Sequence, residues 1–261
     1  MKLAKTGVLC GVVALAVLVV LMLGCDGHGI LTPPDNGGNV GPGPGPGGAD
    51  VPLGPMGTLQ TGDTWNYSVT GFVEPAGGGA NIPLTPTNGT WSIEPNTVNV
   101  DGVQDALVLS MDWPVGHPNG EYQESWRMAL LQTAGGTVRI HGLTPVAGDP
   151  LNPSIGNPPY LEGPDAGNLA GLGQWQDNVE FDPFGDLAMS ITGIGVEVIN
   201  AAGTTYECYR WDMVFNYSNF PIQMTAWVNP AVGFVRVTFT FDEPPGTTVE
   251  TLDLQSASFL P

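Results

Sequence analysis

Beyond residue 58, apolar and polar positions alternate with a period of two along much of the chain. The clearest run puts Tyr209, Trp211, Met213, Phe215 and Tyr217 on one face and Arg210, Asp212 and Asn216 on the other. A second sets Val235, Val237, Phe239 and Phe241 against Arg236, Thr238 and Thr240. Shorter examples are Trp65-Tyr67-Val69, Leu107-Leu109-Met111-Trp113, Trp126-Met128-Leu130, Val138-Ile140 and Ile222-Met224-Ala226. Successive side chains of a strand point to opposite faces, so each run predicts a half-buried β-strand. In 187–198 the phase slips: Leu187, Met189 and Ile191 are odd, whereas Ile194, Val196 and Val198 are even. Gly193 sits at the slip, which predicts a β-bulge or a strand break there.

Turn chemistry separates the runs. Asp101-Gly102 lies between two short apolar segments and suits a tight hairpin. Asn119-Gly120, Gly135-Gly136 and Asn229-Pro230 mark further reversals. No helical period of useful length is present, and glycines oppose a short helix around 164–174. The stretch from Gly142 to Gly173 is rich in Pro and Gly and too long for an ordinary connector, so it reads as a functional loop or lid. The expected fold is all-β: about nine to eleven strands in a single antiparallel, strongly curled sheet, half-barrel or sandwich-like.

Composition divides the chain. Residues 26–57 hold 11 Gly and 7 Pro without one aromatic side chain, whereas all 22 aromatic residues fall within 58–261. The first stretch cannot build a core and reads as a disordered tether over 25–57; the second is a folded domain. Ahead of both, Lys2 and Lys5 precede an uncharged apolar run from Gly7 to Gly24, the pattern of an export signal over 1–24. The charge balance is 25 acids against 6 bases, and both lysines lie in the signal. A mature chain with four Arg and no Lys excludes ordinary electrostatic binding of nucleic acid.

Leu21-Met22-Leu23-Gly24-Cys25 resembles the bacterial lipobox. The resemblance implies cleavage after Gly24, a diacylglycerol thioether on Cys25, acylation of the new amino group, and anchorage in the bilayer facing the periplasm or exterior. An uncleaved membrane anchor is the competing reading, but a spanning helix has no need of a Gly-Cys end followed by a polar linker. In enterobacteria an Asp at the next position, here Asp26, accompanies retention in the inner membrane; elsewhere the choice of membrane is open. Lipidation leaves Cys208 alone in the mature chain, where a lone strand cysteine reads as a small buried hydrophobe.

Catalytic signatures are missing. There is no Gly-x-Ser-x-Gly elbow, no His-Glu-x-x-His, no Cys-x-x-Cys and no phosphate-binding loop, and no cofactor is implied. His117, in a Pro/Gly-rich turn, and His141, in phase with Arg139, read as solvated side chains. Asp177, Glu180, Asp182 and Asp186 form the densest acidic cluster. A calcium site there is the weaker reading beside a plain acidic loop, because the spacing departs from the twelve-residue calcium loop. Arg127, Arg139, Arg210 and Arg236 each fall opposite the apolar face of a strand, where cross-strand pairing with acids outweighs an anion clamp.

Two local patterns carry a second resemblance. Leu59-Gln60-Thr61-Gly62-Asp63-Thr64-Trp65-Asn66-Tyr67 is similar to the L-x-x-G-x-x-W-x-Y opening of many uncharacterised bacterial lipoproteins. Trp227-Val228-Asn229-Pro230-Ala231-Val232-Gly233-Phe234-Val235 is similar to their late hairpin. Some such domains are similar to the half-barrel lipoprotein carriers of the Lol type, which implies a curved sheet holding acyl chains on its concave side. The matching elements are a turn glycine, a core tryptophan and a hairpin, so they speak to fold more than to activity.

The sequence therefore predicts a membrane-anchored envelope lipoprotein with a monomeric, non-catalytic β domain for binding or scaffolding. Its partners would be the bilayer, through acylated Cys25, and an apolar ligand or an envelope protein. The alternatives are a lipid-binding half-barrel and a hydrolase of extracellular polymers using two carboxylates facing each other in an open cleft.

Overall fold

The computed structural model describes residues 49–54, 57–100, 102–132, 138–144, 151–155, 160–162, 173–181, 185–217, 220–243 and 246–258. The signal, Cys25 and most of the tether lie outside the described residues, as do Gly135-Gly136 and most of 164–174. Among the described residues there is no helix. Fifteen strands are formed: β1 (Thr64–Pro75), β2 (Ile82–Pro83), β3 (Thr87–Ile93), β4 (Val98–Val100), β5 (Val103–Val115), β6 (Tyr122–Gln132), β7 (Val138–Thr144), β8 (Asn152–Ile155), β9 (Leu161–Glu162), β10 (Gln174–Phe181), β11 (Gly185–Ala201), β12 (Thr204–Tyr217), β13 (Phe220–Asn229), β14 (Gly233–Glu243) and β15 (Gly246–Ala257).

Every alternating run read from sequence is a strand, and the pairings between named strands are antiparallel. Sequence neighbours pair in order from β10 through β15, as local hairpins require. Either side of the expected Asp101-Gly102 turn, Val100 pairs with Val103 and Gly102 has φ 76°, while Asp101 lies outside the described residues.

Two features of the expected sheet are corrected. The strand count exceeds nine to eleven because β2, β4, β8 and β9, of two to four residues each, carry no readable alternation. The form differs too. The sheet is not the strongly curled one expected; within it β1 and β15 are hydrogen-bonded from Trp65↔Ala257 to Pro75↔Gly246. β1 also pairs with β3, so the first and last long strands are neighbours within one sheet.

The described parts of the stretch read as a loop or lid are short strands. β8 joins β7 at Leu143↔Asn152, and β9 joins it at Arg139↔Glu162. The bulge expected at Gly193 is present, with Gly193 opposite Trp211 and Gly195 opposite Arg210. Its consequence differs from the sequence pattern: Val196 and Val198 are about half exposed, while Ile199 and Ala201 are buried. β10 ends its pairing at Gln174↔Thr192, so this half of β11 has β12 as its partner strand.

Large side chains fill the inward face. Trp91, Trp113, Trp126, Trp211, Tyr67, Phe215, Phe234 and Phe239 are all essentially inaccessible. Trp91 packs on Tyr67 with ring centroids 4.6 Å apart and meets Phe234 edge-on at 5.7 Å. Trp113 of β5 stacks on Phe239 of β14 at 6.5 Å, so side chains from strands far apart in the pairing order meet in the interior. Each such burial stabilises by roughly 1.5–3 kcal/mol, with tilted or offset aromatic contacts adding about 0.5–1.5.

Candidate functional site

The two sequence patterns singled out above meet in space. In the first, Asp63 N–H donates to the Gln60 carbonyl at 3.1 Å, which closes a turn whose third residue, Gly62, has φ 92°. The Asp63 carboxylate in turn accepts the Gln60 N–H at 2.8 Å. The second is the β13–β14 hairpin, where Val232 N–H donates to the Asn229 carbonyl at 3.0 Å and Gly233 has φ 97°. Three bonds tie them together. Trp65 Nε1 donates to the Val232 carbonyl at 2.8 Å, Tyr67 Oη to the Phe234 carbonyl at 3.2 Å, and Gly57 N–H to the Pro230 carbonyl at 3.1 Å. Burial pushes the Tyr67 phenol well above its ordinary pKa, so it stays a donor.

Between them lies a recess of about 210 Å³. Gly57, Thr58, Leu59, Gln60, Asp63 and Trp65 supply one side, Pro230 to Gly233 the other, and Trp91, Ile93 and Leu109 complete the lining. Among the described residues, Asp63 is the one charged residue in that lining. Size and apolar lining fit a small uncharged group.

Asn229 anchors the hairpin beside this recess. It is fully buried, and its Nδ2 donates to the carbonyls of Glu207 at 2.8 Å and Pro52 at 3.1 Å, while its Oδ1 accepts the Ala231 N–H at 3.0 Å. The last part of the stretch read as tether is therefore docked on the domain. Val51 N–H donates to the Thr205 carbonyl, and Glu207 N–H to the Val51 carbonyl, both at 2.9 Å. Backbone pairing with β12 offsets the low apolar content that made this segment look wholly disordered.

Asp177 and Glu180 stand three positions apart on β10 and so point to opposite faces, Glu180 is opposite Asp186 on β11, and Asp182 lies outside the described residues. Among the described residues no group of three or more His, Cys, Asp or Glu is placed to hold a metal. Arginines pair across strands. Arg127 forks onto Glu94 at 2.6 and 2.8 Å, Arg236 meets Asp253 at 2.5 Å, and Arg210 meets Glu197 at 3.2 Å. Trp227 Nε1 also donates to Glu197 at 2.7 Å; this bond first, then Arg210, holds the Glu197 carboxyl below its ordinary pKa against partial burial. Cys208 is buried, and desolvation pushes its thiol up to about 12, which disqualifies it as a nucleophile.

The expected solvation of the two histidines is corrected: His117 and His141 are both buried. Tyr160 packs at 5.3 Å on the His141 ring and under the Arg139 guanidinium, covering a face that alternation alone assigned to solvent.

Sequence reasoning missed a pair of inward acids. Glu124 shares the phase of Trp126 and Met128 on β6, and Glu250 that of Leu252 and Leu254 on β15; both are 2% exposed. Tyr122 Oη donates to Glu250 at 2.9 Å and Trp126 Nε1 to Glu124 at 3.4 Å. Register puts Glu124 opposite Trp113 and Glu250 opposite Phe239, so the acids flank the Trp113–Phe239 stack. A glutamate in the apolar phase of an alternating run was the readable signal. Enclosed this way, they form a hydrogen-bonded core cluster rather than an open cleft for a polymer.

No protein-family model matches the chain, and no curated protein matches it. Among solved structures, a protein of Bacteroides fragilis assigned as exported, with a YmcC-like fold, is 13% identical and aligns over 76% of this chain and 96% of its own, at a TM-score of 0.33. A protein of Parabacteroides distasonis assigned as a lipoprotein is 12% identical over the same shares, at a TM-score of 0.31. Likenesses at such scores carry no conclusion about this chain.

Proposed function

We propose that the chain is a membrane-anchored lipoprotein of the cell envelope whose β domain binds rather than catalyses. The anchor rests on sequence: basic Lys2 and Lys5, the apolar run to Gly24, Cys25, and the Gly/Pro-rich stretch that follows. Two or three acyl chains on Cys25 would hold the protein firmly at the bilayer. The tether would lift the domain clear of the surface.

The binding half rests on one observation, the apolar recess enclosed by two motifs far apart in sequence. This favours an apolar ligand over a purely scaffolding role. It favours a small site at the hairpin over an acyl-chain cavity along the sheet, because tryptophans and phenylalanines already fill the inward face. The carboxylate-pair hydrolase has less support, since the inward acids Glu124 and Glu250 are enclosed.

Mass spectrometry of the full chain from a bacterial membrane fraction tests the anchor. The expected N-terminal peptide begins at Cys25 and carries diacylglycerol and an N-acyl group. A peptide that begins at Met1 with an unmodified Cys25 would contradict the anchor.

A further inference from the structure

We infer that the face of β11–β14 turned away from the core carries a second binding site, separate from the apolar recess, for a neutral carbohydrate chain. Register places Thr192, Asp212, Thr225 and Thr238 directly opposite one another on four successive strands, and Thr251 of β15 and Thr70 of β1 continue the row. Two residues along each strand, Ser190, Val214, Gln223 and Thr240 form a parallel row. Over β11–β14 these two rows line a recess of about 280 Å³. With roughly 4.8 Å between strands, the grid is about 14 Å wide.

The side chains of the grid match a sugar group for group. Val214, 37% exposed, offers an apolar spot for the C–H face of a ring, and the others end in a hydroxyl, an amide or a carboxylate. A threonine hydroxyl both donates and accepts, as each sugar hydroxyl does. Thr225 Oγ1 donates to Asp212 at 3.0 Å, and the Thr238 and Thr251 hydroxyls share a bond of 3.1 Å. A hydroxyl that donates once keeps its lone pairs, so these bonds orient the row without exhausting it. Strand propensity accounts for threonine on a solvated face, but not for Asp212 amid the row, since Asp is depleted in strands.

Charge selects a neutral ligand. Among the described residues, Asp212 is the one ionised side chain in the lining, and Arg210 beside the recess donates to it at 3.4 and 3.5 Å. No Lys or Arg lies in that lining, so an acidic sugar would meet Asp212 without a counter-charge. Arg210 already offsets Asp212, so a cationic group gains little.

Threonine-methyl and tryptophan-indole NMR spectra of the full chain in lipid nanodiscs test the site. The probes are the neutral cellohexaose, maltohexaose and chitohexaose, with hexagalacturonate as the acidic counterpart. At least one neutral hexasaccharide should shift the Thr225, Thr238 and Thr240 methyls together and saturably, leave the Trp91 indole of the apolar recess unmoved, and bind tighter than hexagalacturonate. Replacing Thr225→Val and Thr238→Val together keeps side-chain shape and suits a strand, so the fold is retained. With two hydroxyls removed, that hexasaccharide should bind about tenfold more weakly. No shift with any neutral probe, shifts at Trp91 rather than at the threonines, tightest binding of hexagalacturonate, or unchanged affinity in the double variant overturns the inference.

Discussion

Trp65 donates its indole hydrogen bond to the carbonyl of Val232 at 2.8 Å, joining positions 167 residues apart. The contact exists because β15 pairs with β1 on one side and β14 on the other, which carries the last hairpin to the first strand. Trp65→Phe keeps most of the ring volume and removes the donor, leaving a buried carbonyl with one partner fewer. A loss of about 1–2 kcal/mol is expected from urea unfolding midpoints at unchanged slope.

Asn229 joins three segments through its amide, so its removal should be felt in all of them. Asn229→Ala deprives the Glu207 and Pro52 carbonyls and the Ala231 N–H of their partner. The expected cost is about 2–3 kcal/mol, near the upper end for an unsatisfied buried group. Limited proteolysis provides a second readout: cleavage within 50–57 should accelerate more than cleavage elsewhere. Unchanged cleavage there would show that Val51 and Pro52 are held by other means.

Gly89 faces Trp113 across the β3–β5 pairing. A Cβ at this position would sit 2.6 Å from that of Trp113, closer than real side chains approach, and a tight 3.2 Å from the Asp112 carbonyl oxygen. Gly89→Ala should therefore destabilise by about 1–3 kcal/mol despite its gain in strand propensity. Thermal unfolding would show this as a lowered midpoint; a raised one would mean that β3 shifts freely.

Cys208 links burial to pH. Its thiol is pushed up to about 12 from an ordinary value of 9.0, chiefly by desolvation. The folded state then keeps its proton where the unfolded state has lost it, so this contribution is whole below pH 9 and is lost as pH rises toward 12. Between pH 8 and 10.5 stability should fall, and less steeply in Cys208→Ala. The native thiol should also resist a disulfide reagent at pH 8 and react only on unfolding.

The strands were legible wherever apolar residues kept one phase, as in Val235 to Phe241 on β14. β15 was not, because Thr248 and Glu250 occupy two of its inward positions and break the apolar count. His141 was misassigned for a different reason: alternation reports which face a residue takes, not whether Tyr160 later covers that face. Both halves of the recess stood out as patterns around Trp65 and Asn229. Their meeting was hidden because it depends on long-range β1–β15 pairing, which no local period encodes.

The most direct test of a ligand site at the junction of the two motifs is the indole ¹⁵N–¹H spectrum, titrated with naphthalene. The seven tryptophans report from distinct places. Trp91 and Trp65 line the recess, whereas Trp227 lies outside it, bonded to Glu197. The expected result is shifts at Trp91 and Trp65 that saturate together, and none at Trp227. Shifts that are absent, uniform across the seven, or largest at Trp227 would contradict it.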